Sequence, residues 1–168
     1  MFRKHIITIL FITVSALVAF SQDGGTRNNG QNARIVMDPV FKLKIKPKKT
    51  VKYKFETKED YDNGIFDLEA TQVEVEANMD WQVTITAGQE YFEGKNGNKL
   101  RPEVFHYAKT GEALQSLTYQ GDPRPVATGG SGKKNVEGNT FYVDYFVDPG
   151  YETPDEYIME IVYTISAK

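Results

Sequence analysis

The strongest constraint on the fold is the alternation of apolar and polar side chains in the last thirty residues, 139–168. A strand with one buried face needs an apolar residue at every second position, and two runs satisfy that rule. They are separated by Asp148, Pro149, Gly150 and Pro154, where proline lacks an N–H and glycine tolerates positive φ. We predict two strands joined as a long hairpin or a sandwich corner. Their inner residues are Phe141, Val143, Tyr145 and Val147 in the first strand, and Tyr157, Met159, Ile161, Tyr163 and Ile165 in the second.

The same period of two continues through most of the chain from residue 34. Its most strongly apolar run contains Trp81, Val83 and Ile85, and we expect the single tryptophan to fill the core because it buries a large area. No run shows apolar residues at helical spacing. The pattern predicts one all-β domain, residues 34–168, folded as a single antiparallel immunoglobulin-like β-sandwich of about 8–9 strands. Further strands are expected at 35–37, 40–46, 51–55 (paired with 40–46), 65–68, 71–77, 100–107 and 114–119, with an acidic turn at 59–64.

Residues 1–21 have the pattern of an export signal. A short basic region at 3–5 precedes an apolar run at 6–20, and the segment ends in the small-x-small pattern that signal peptidase recognises. The apolar run is shorter than the ~20 residues that span a bilayer, so we expect cleavage before Gln22 and no transmembrane segment in the mature chain. Residues 22–33 contain glycine, asparagine and glutamine but no large apolar residue, which predicts a disordered leader. The expected location is the periplasm, the cell surface or the extracellular space.

Composition narrows the class of protein further. The chain has no cysteine, so it can form neither a disulfide nor the lipid anchor of a lipoprotein. Loss of Arg3 and Lys4 with the signal leaves 18 basic against 23 acidic residues, a net charge of −5. The nearest approach to a basic stripe is formed by alternate lysines at 42, 44 and 46, which we interpret as the solvent face of an edge strand. We therefore expect no nucleic-acid partner.

Two short motifs resemble those of a known class of bacterial proteins. The spacing Asn78-x-x-Trp81-x-Val83, followed by Pro154-x-x-Tyr157 in the final alternating segment, resembles immunoglobulin-like sandwiches of bacterial surface proteins. The nearest types are the WxL wall-associated domains and fimbrial or spore-coat-like secreted domains. Trp81-Gln82-Val83 and Tyr163-Thr164-Ile165 stand where the two Trp-x-Leu motifs would occur, and both depart from that motif.

The resemblance implies a structural, adhesive or glycan-contacting role at the cell surface. Because neither motif is exact, wall binding by the WxL mechanism does not transfer to this chain. The signal sequence ends in Phe-Ser-Gln, which resembles the secreted proteins of Bacteroidetes.

Residues for catalysis are few. After loss of the signal, His106 is the one histidine, and the sequence contains no cysteine and no Gly-x-Ser-x-Gly motif to supply a nucleophile. Five carboxylates alternate with apolar residues, so we interpret them as solvent-face charges rather than a glycosidase pair. They are Glu74, Glu76, Asp144, Glu156 and Glu160. We predict no catalytic residues and no enzyme activity.

Calcium is the one cofactor that the sequence suggests. Asp60, Asp62 and Asn63 precede Gly64 and place oxygen ligands as calcium loops often do, but the later bidentate glutamate of an EF-hand is missing. Acidic residues also form ordinary solvated turns, so structural calcium and a plain turn both remain open.

Aromatic residues outside the predicted core mark candidate ligand-binding positions. Flat rings stack on sugars and also mark protein contacts, and burial in an oligomer interface is a further alternative. The six residues that we single out are Tyr91, Phe92, Tyr119, Tyr142, Phe146 and Tyr151. The long segment 121–138 is expected to be functional or mobile.

These patterns lead to two functional hypotheses. The first is a secreted or cell-surface, non-enzymatic structural or adhesive protein that contacts envelope proteins or glycans. Any of its edge strands could accept or donate a strand to a neighbour, and self-assembly is one form that this could take. The alternative is a carbohydrate-binding module that uses exposed aromatic residues, with structural calcium.

Overall fold

The computed structural model describes residues 34–168, so the predicted signal (1–21) and leader (22–33) lie outside the described residues. From Met37 to Lys168 the chain forms one compact unit, while residues 34–36 are exposed and irregular. The elements follow in the order β1 (Phe41–Pro47), α1 (Lys58–Asn63), β2 (Ile65–Ala77), β3 (Trp81–Ala87), β4 (Phe92–Gly94), β5 (Lys99–Leu100), a 3-10 turn (Pro102–Val104), β6 (Phe105–Lys109), β7 (Gln115–Ser116), β8 (Ala127–Gly129), β9 (Thr140–Val147), β10 (Tyr157–Ile158) and β11 (Ile161–Ala167).

The strands form antiparallel sheets with the orders β1-β2-β9-β6-β7, β11-β3-β8 and β10-β4-β5. The first two sheets pack face to face. Trp81 of β3 stacks on Phe141 of β9 with ring centroids 6.2 Å apart, and the Tyr107 hydroxyl donates to the Ile85 carbonyl oxygen at 3.0 Å. The all-β antiparallel sandwich is confirmed, whereas its immunoglobulin-like topology stays a prediction. The strands outnumber the expected eight or nine because β4, β5, β7, β8 and β10 are too short to show an alternating pattern.

The two predicted C-terminal strands, found as β9 and as β10 with β11, lie in different sheets, so the segment between them is a sandwich corner rather than a hairpin loop. β9 pairs with β2 and β6, while β11 pairs with β3. Val143 and Tyr145 are buried, whereas Ile161 and Tyr163 are partly buried against the same core. The Tyr145 hydroxyl bonds to that of Tyr163 and, at 3.0 Å, to Thr71 Oγ1, which joins the two sheets through hydroxyl groups.

A bulge in β2 depends on a buried carboxylate. The register between β2 and β9 shifts between Asp67 and Thr71, and Glu69 within the shift has a φ of 49°. Its N–H donates to Asp144 Oδ1 at 2.7 Å, and Thr110 Oγ1 donates to the same oxygen at 2.6 Å. Asp144 is 6% exposed, so its interpretation as a solvent-face charge is wrong. Its carboxylate accepts a hydrogen bond from the Glu69 N–H, which the β2–β9 pairing leaves without a backbone partner.

Several predicted strands are absent or shorter. Residues 35–37 have no regular structure and are exposed. Segment 51–55 is also irregular, because β1 pairs with β2 instead, from Phe41 opposite Ala77 to Pro47 opposite Thr71. Predicted strand 114–119 reduces to Gln115–Ser116, and 100–107 is interrupted by the turn at Pro102–Val104, where proline offers no N–H to a ladder.

The acidic segment 59–64 is not a turn, because it lies largely within the helix α1. Thr57 accepts a hydrogen bond from the Asp60 N–H, and the Asp60 carboxylate accepts one from the Thr57 N–H, which makes a capping box. The lack of apolar residues at helical spacing therefore does not exclude a short helix here. A helix of six residues is too short to display an apolar period, so only its capping residues could have indicated it.

Because Gly129 packs closely against Trp81, alanine should destabilise the protein at Gly129 but not at the neighbouring Gly130. A β-carbon on Gly129 would overlap the Trp81 ring, whereas one on Gly130 would lie 3.7 Å from Asp80 Oδ1, an ordinary contact. We expect Gly129→Ala to lower the free energy of unfolding by about 1–3 kcal/mol. The matched control Gly130→Ala should change it by less than ~1 kcal/mol. Urea unfolding followed by Trp81 fluorescence measures both, and equal effects would contradict this packing.

Buried hydroxyl groups predict a loss of stability at high pH. Burial, followed by the neighbouring Tyr145, raises the pKa of Tyr163 far above its ordinary value, and burial followed by Asp67 does the same for Tyr53. The folded state retains these protons more tightly, so the stabilisation is complete below about pH 10 and is lost as the pH rises further.

The Tyr163→Phe variant should therefore lose less stability than the wild type between pH 7 and pH 11, although it is less stable at pH 7 because it lacks the hydroxyl. Urea midpoints at the two pH values provide the measurement, with exposed Tyr119→Phe as the control. Equal losses in wild type and Tyr163→Phe would refute the expectation.

Candidate functional site

Four side chains form one line across the outer face of the five-stranded sheet, and we call them the outer row. Phe66 of β2 lies opposite Phe146 of β9, Phe146 lies opposite His106 of β6, and His106 lies opposite Ser116 of β7. Neighbouring strands lie ~4.8 Å apart, so the row extends about 14 Å across the sheet. It combines residues that are far apart in the sequence.

The rings of the outer row pack against one another. The Phe146 and His106 centroids are 5.6 Å apart with planes inclined by 11°, and those of Phe66 and Phe146 are 5.4 Å apart at 35°. Phe146 is thus flanked on both sides, while Phe66 is 53% exposed and Leu68, near it on β2, is 65% exposed. The Phe66 end of the row, together with Leu68, is therefore an apolar surface, and the central rings shield parts of each other's faces.

Gly64 determines how closely β2 approaches β9 at this position. Its φ is +67°, and a β-carbon there would lie 2.6 Å from the Phe146 ring and 2.8 Å from the Val147 carbonyl oxygen. Only glycine fits this conformation and this contact without strain. The end of α1 therefore passes directly over Phe146 and brings Phe66 into line beside it.

The other end of the same face is charged. Lys42 pairs with Glu76 at 3.2 Å and Lys46 pairs with Glu74. The Lys46 ammonium, which donates to Glu74, holds the pKa of that carboxyl below its usual range. Tyr142 lies on this face as well, with the Lys48 ammonium 5.8 Å from its ring centroid. The face thus changes from apolar near Phe66 to charged near β1.

Of the six predicted aromatic positions, the structure brings two together on the outer face of one strand, Tyr142 and Phe146 of β9. Phe92 is partly buried, with its ring 6.5 Å from that of Phe105. The ring of Tyr91 lies 5.1 Å from the Lys99 ammonium. Tyr119 is 39% exposed in the irregular segment after β7.

The sixth position, Tyr151, belongs to a cluster at α1. It is 71% exposed, stacks on Tyr61 with centroids 5.5 Å apart and donates to Asp62 Oδ1 at 2.7 Å. Lys58 also bonds to Asp62, and these two donors lower the pKa of its carboxyl. The six residues therefore do not make one continuous platform.

Two of the three predicted calcium ligands, Asp60 and Asp62, already have partners within the protein. The Asp60 carboxylate accepts from the N–H groups of Thr57, at 2.8 Å, and Glu56, at 3.0 Å, and these bonds lower its pKa. Asn63 ends the helix α1. Within residues 34–168 no three His, Cys, Asp or Glu side chains are grouped so that they could hold a metal ion. Calcium binding at Asp60, Asp62 and Asn63 stays a prediction.

Substitution of Asp60 separates helix capping from calcium binding. Because its carboxylate caps the helix, Asp60→Ala should lower the melting temperature by about 3 °C. The decrease should be the same with chelator as with about 2 mM calcium, a level that saturates weak extracellular sites. Exposed Asp122→Ala serves as the control. A wild-type melting temperature that rises with calcium, and fails to rise in Asp60→Ala, would instead support the calcium site.

A histidine and a serine lie within hydrogen-bonding distance at one end of the outer row. His106 Nδ1 and Ser116 Oγ are 3.1 Å apart. A serine hydrolase also needs an acid on the second ring nitrogen and donors for an oxyanion. Among the described residues, Ser116 is the one side chain that forms a hydrogen bond with His106. No local pattern pairs these two residues, since only the β6–β7 register brings them together.

An open depression of about 450 Å³ adjoins Ser116. Its walls come from β7 and from the irregular segment that follows, and they include the side chains Leu114, Gln115, Ser116, Thr118, Gln120, Asp122, Pro123 and Arg124. Hydroxyl, amide, carboxylate and guanidinium groups lie there beside Leu114 and Pro123, so the depression offers both hydrogen bonds and apolar contact.

Four residues of these surfaces were not among the candidates predicted from the sequence: Phe66, Leu68, His106 and Arg124. The alternation in 65–68 does place Phe66 and Leu68 on one face of a strand, but both faces carry apolar residues there, so the pattern does not say which face is buried. No local signal marks His106 or Arg124.

The chain matches no model of a known protein family, and no curated protein is significantly similar to it. None of the helices in residues 34–168 has the length and apolar character needed to cross a bilayer.

Proposed function

We propose that the protein is an exported, non-enzymatic structural or adhesive β-sandwich that binds an envelope protein through the outer row and Leu68 beside it. The observation that carries the proposal is the exposure of Phe66 and Leu68, 53% and 65%, beside Phe146 on an otherwise polar sheet face. Exposed apolar residues that adjoin one another with a polar rim are typical of protein interaction sites.

Ring geometry favours a protein partner over a sugar at this surface. Sugar stacking requires free aromatic faces, but Phe146 is flanked by Phe66 and His106. Phenylalanine and leucine also offer no hydrogen bond to the hydroxyl groups of a sugar. The ion pairs of Lys42 and Lys46 with glutamates supply the polar rim on the β1 side.

The arrangement around His106 supports the non-enzymatic part of the proposal. His106 and Ser116 lie on the outer face of the sheet, one beside a stacked phenylalanine and the other exposed. In the described part of the chain no carboxylate orients the imidazole, so a proton-transfer chain of the kind that activates serine has no third member.

The depression beside β7 favours a second candidate function, carbohydrate binding. Gln120, Asp122 and Arg124 present donors and acceptors suited to sugar hydroxyl groups, and exposed Tyr119 precedes them in the chain. In this alternative the module binds polysaccharide at the depression, with calcium as a structural ion.

Co-sedimentation with cell-envelope fragments from the producing bacterium tests both candidates. We expect the exported chain to bind the fragments, to lose binding after they are treated with protease, and to keep it after periodate oxidation of their glycans. Phe66→Ser should weaken binding about tenfold, as expected for loss of a central apolar contact, while Arg124→Ala should leave it unchanged.

The opposite pattern identifies the alternative. Binding that resists protease, is abolished by periodate and is weakened by Arg124→Ala would establish a carbohydrate ligand and overturn the proposed protein contact. Circular dichroism of both variants checks that each keeps the wild-type fold.

A further inference from the structure

β11 has an open edge with unused backbone groups. Gly88 N–H donates to the Glu160 carbonyl oxygen at 2.8 Å, and Lys168 N–H donates to the Asp80 carbonyl oxygen at 3.2 Å. Even-numbered residues of this segment therefore face β3, because antiparallel bonding alternates along a strand. The N–H and C=O groups of Ile161, Tyr163, Ile165 and Ala167 point away from β3, and no described residue forms a backbone hydrogen bond with them.

This edge lacks the devices that protect the other edges of the sandwich. The β1 edge carries Lys42, Lys44, Lys46 and Pro47, which discourage pairing with another strand. The edge strands β7 and β8 are two and three residues long. β11 has seven residues, all uncharged and none of them proline. Within residues 34–168 it is thus the one long edge strand that carries neither a charged residue nor a proline.

The core is also incompletely covered along β11. Val83 and Ile85 on the neighbouring β3 are fully buried, whereas Ile161, Tyr163 and Ile165 are only partly buried against the same core. An additional strand beside β11 would cover these side chains and would bond to the free backbone groups in the same step.

We propose that the partner is a second copy of this chain, whose β11 pairs antiparallel with the first about a two-fold axis at Thr164. Tyr163 then lies opposite the partner's Ile165, and Ile161 lies opposite the partner's Ala167. These odd-numbered residues carry the free N–H and C=O groups, so each opposed pair exchanges two backbone hydrogen bonds. The same surface serves both copies, as a two-fold interface requires.

Charges at the two ends of the strand specify this register. Glu160 and Lys168 flank the uncharged run of β11. Pairing about Thr164 places Glu160 opposite the partner's Lys168 at one end and repeats the pair at the other. Opposite charges and paired threonines stabilise antiparallel strands, and a shift by two residues loses both ion pairs.

This dimer surface is separate from the outer row. β11 belongs to the three-stranded sheet, whereas Phe66, Phe146 and His106 lie on the five-stranded sheet. Dimerisation and envelope binding can therefore fail independently in experiments. The exposed apolar residues before β1, Ile35 and Met37, offer the competing explanation for any self-association.

Sedimentation velocity of the exported chain over a range of concentrations tests the proposal. We expect a reversible dimer, and Thr164→Lys should raise its dissociation constant at least tenfold because two ammonium groups then face each other across the axis. Thr164 is exposed, so the monomer fold should persist. Thr128→Lys, at an exposed threonine on β8 of the same sheet, is the matched control and should leave the dimer unchanged.

Exchange of the end charges gives an independent readout of the register. Glu160→Lys should weaken the dimer, and adding Lys168→Glu to the same chain should restore it. A chain that stays monomeric at every concentration overturns the proposal, as does a dimer that tolerates Thr164→Lys. A dimer that persists in Thr164→Lys but is lost on Ile35→Ser with Met37→Ser would assign self-association to the segment before β1.

Discussion

The contacts of Trp81 hold the two main sheets and the segment 121–138 together. Its ring stacks on Phe141 across the sandwich, while its Nε1 donates at 3.1 Å to both the Gly130 carbonyl oxygen and Asn139 Oδ1. Asn139 is fully buried and donates in turn to the Lys133 carbonyl oxygen at 3.1 Å. The second half of segment 121–138, whose length alone suggests function or mobility, is therefore bound to the core through the carbonyl groups of Gly130 and Lys133. The positions of β8 and β9 depend on that connection.

The sequence could predict the long strands because alternation directly reports which side chains enter the core. Trp81, Val83 and Ile85 are fully buried. On β9, Val143 is also fully buried and Tyr145 is 2% exposed. Period two does not specify which strands become neighbours, since that depends on contacts between distant segments. The alternation therefore does not reveal that β1 pairs with β2 rather than with 51–55. In that segment Tyr53 instead donates to the Asp67 carboxylate. Asp144 was interpreted as a surface charge because no sequence pattern indicates the bulge in β2, the strand beside it.

The same reasoning explains why the candidate site was only partly foreseen. Tyr142 and Phe146 could be assigned to one outer face because they share a strand. Phe66, His106 and Ser116 join Phe146 only through the order β2-β9-β6-β7, in which four strands from separate parts of the chain become adjacent. The calcium-like spacing at 60–63 illustrates the converse case: the same oxygen atoms that suggest a metal site also cap a helix and accept from Lys58 and Tyr151.

The placement of the open edge and the apolar row on opposite sheets has a geometric consequence for a dimer. A two-fold axis that relates adjacent antiparallel strands runs perpendicular to their sheet. Both five-stranded sheets would then turn their outer faces in the same direction, so a dimer would offer two identical contacts to a single envelope surface. Two weak contacts held together in this way bind with an avidity of roughly 10²–10⁴ times that of either alone. Weak binding through the outer row of each copy would then be sufficient for firm attachment.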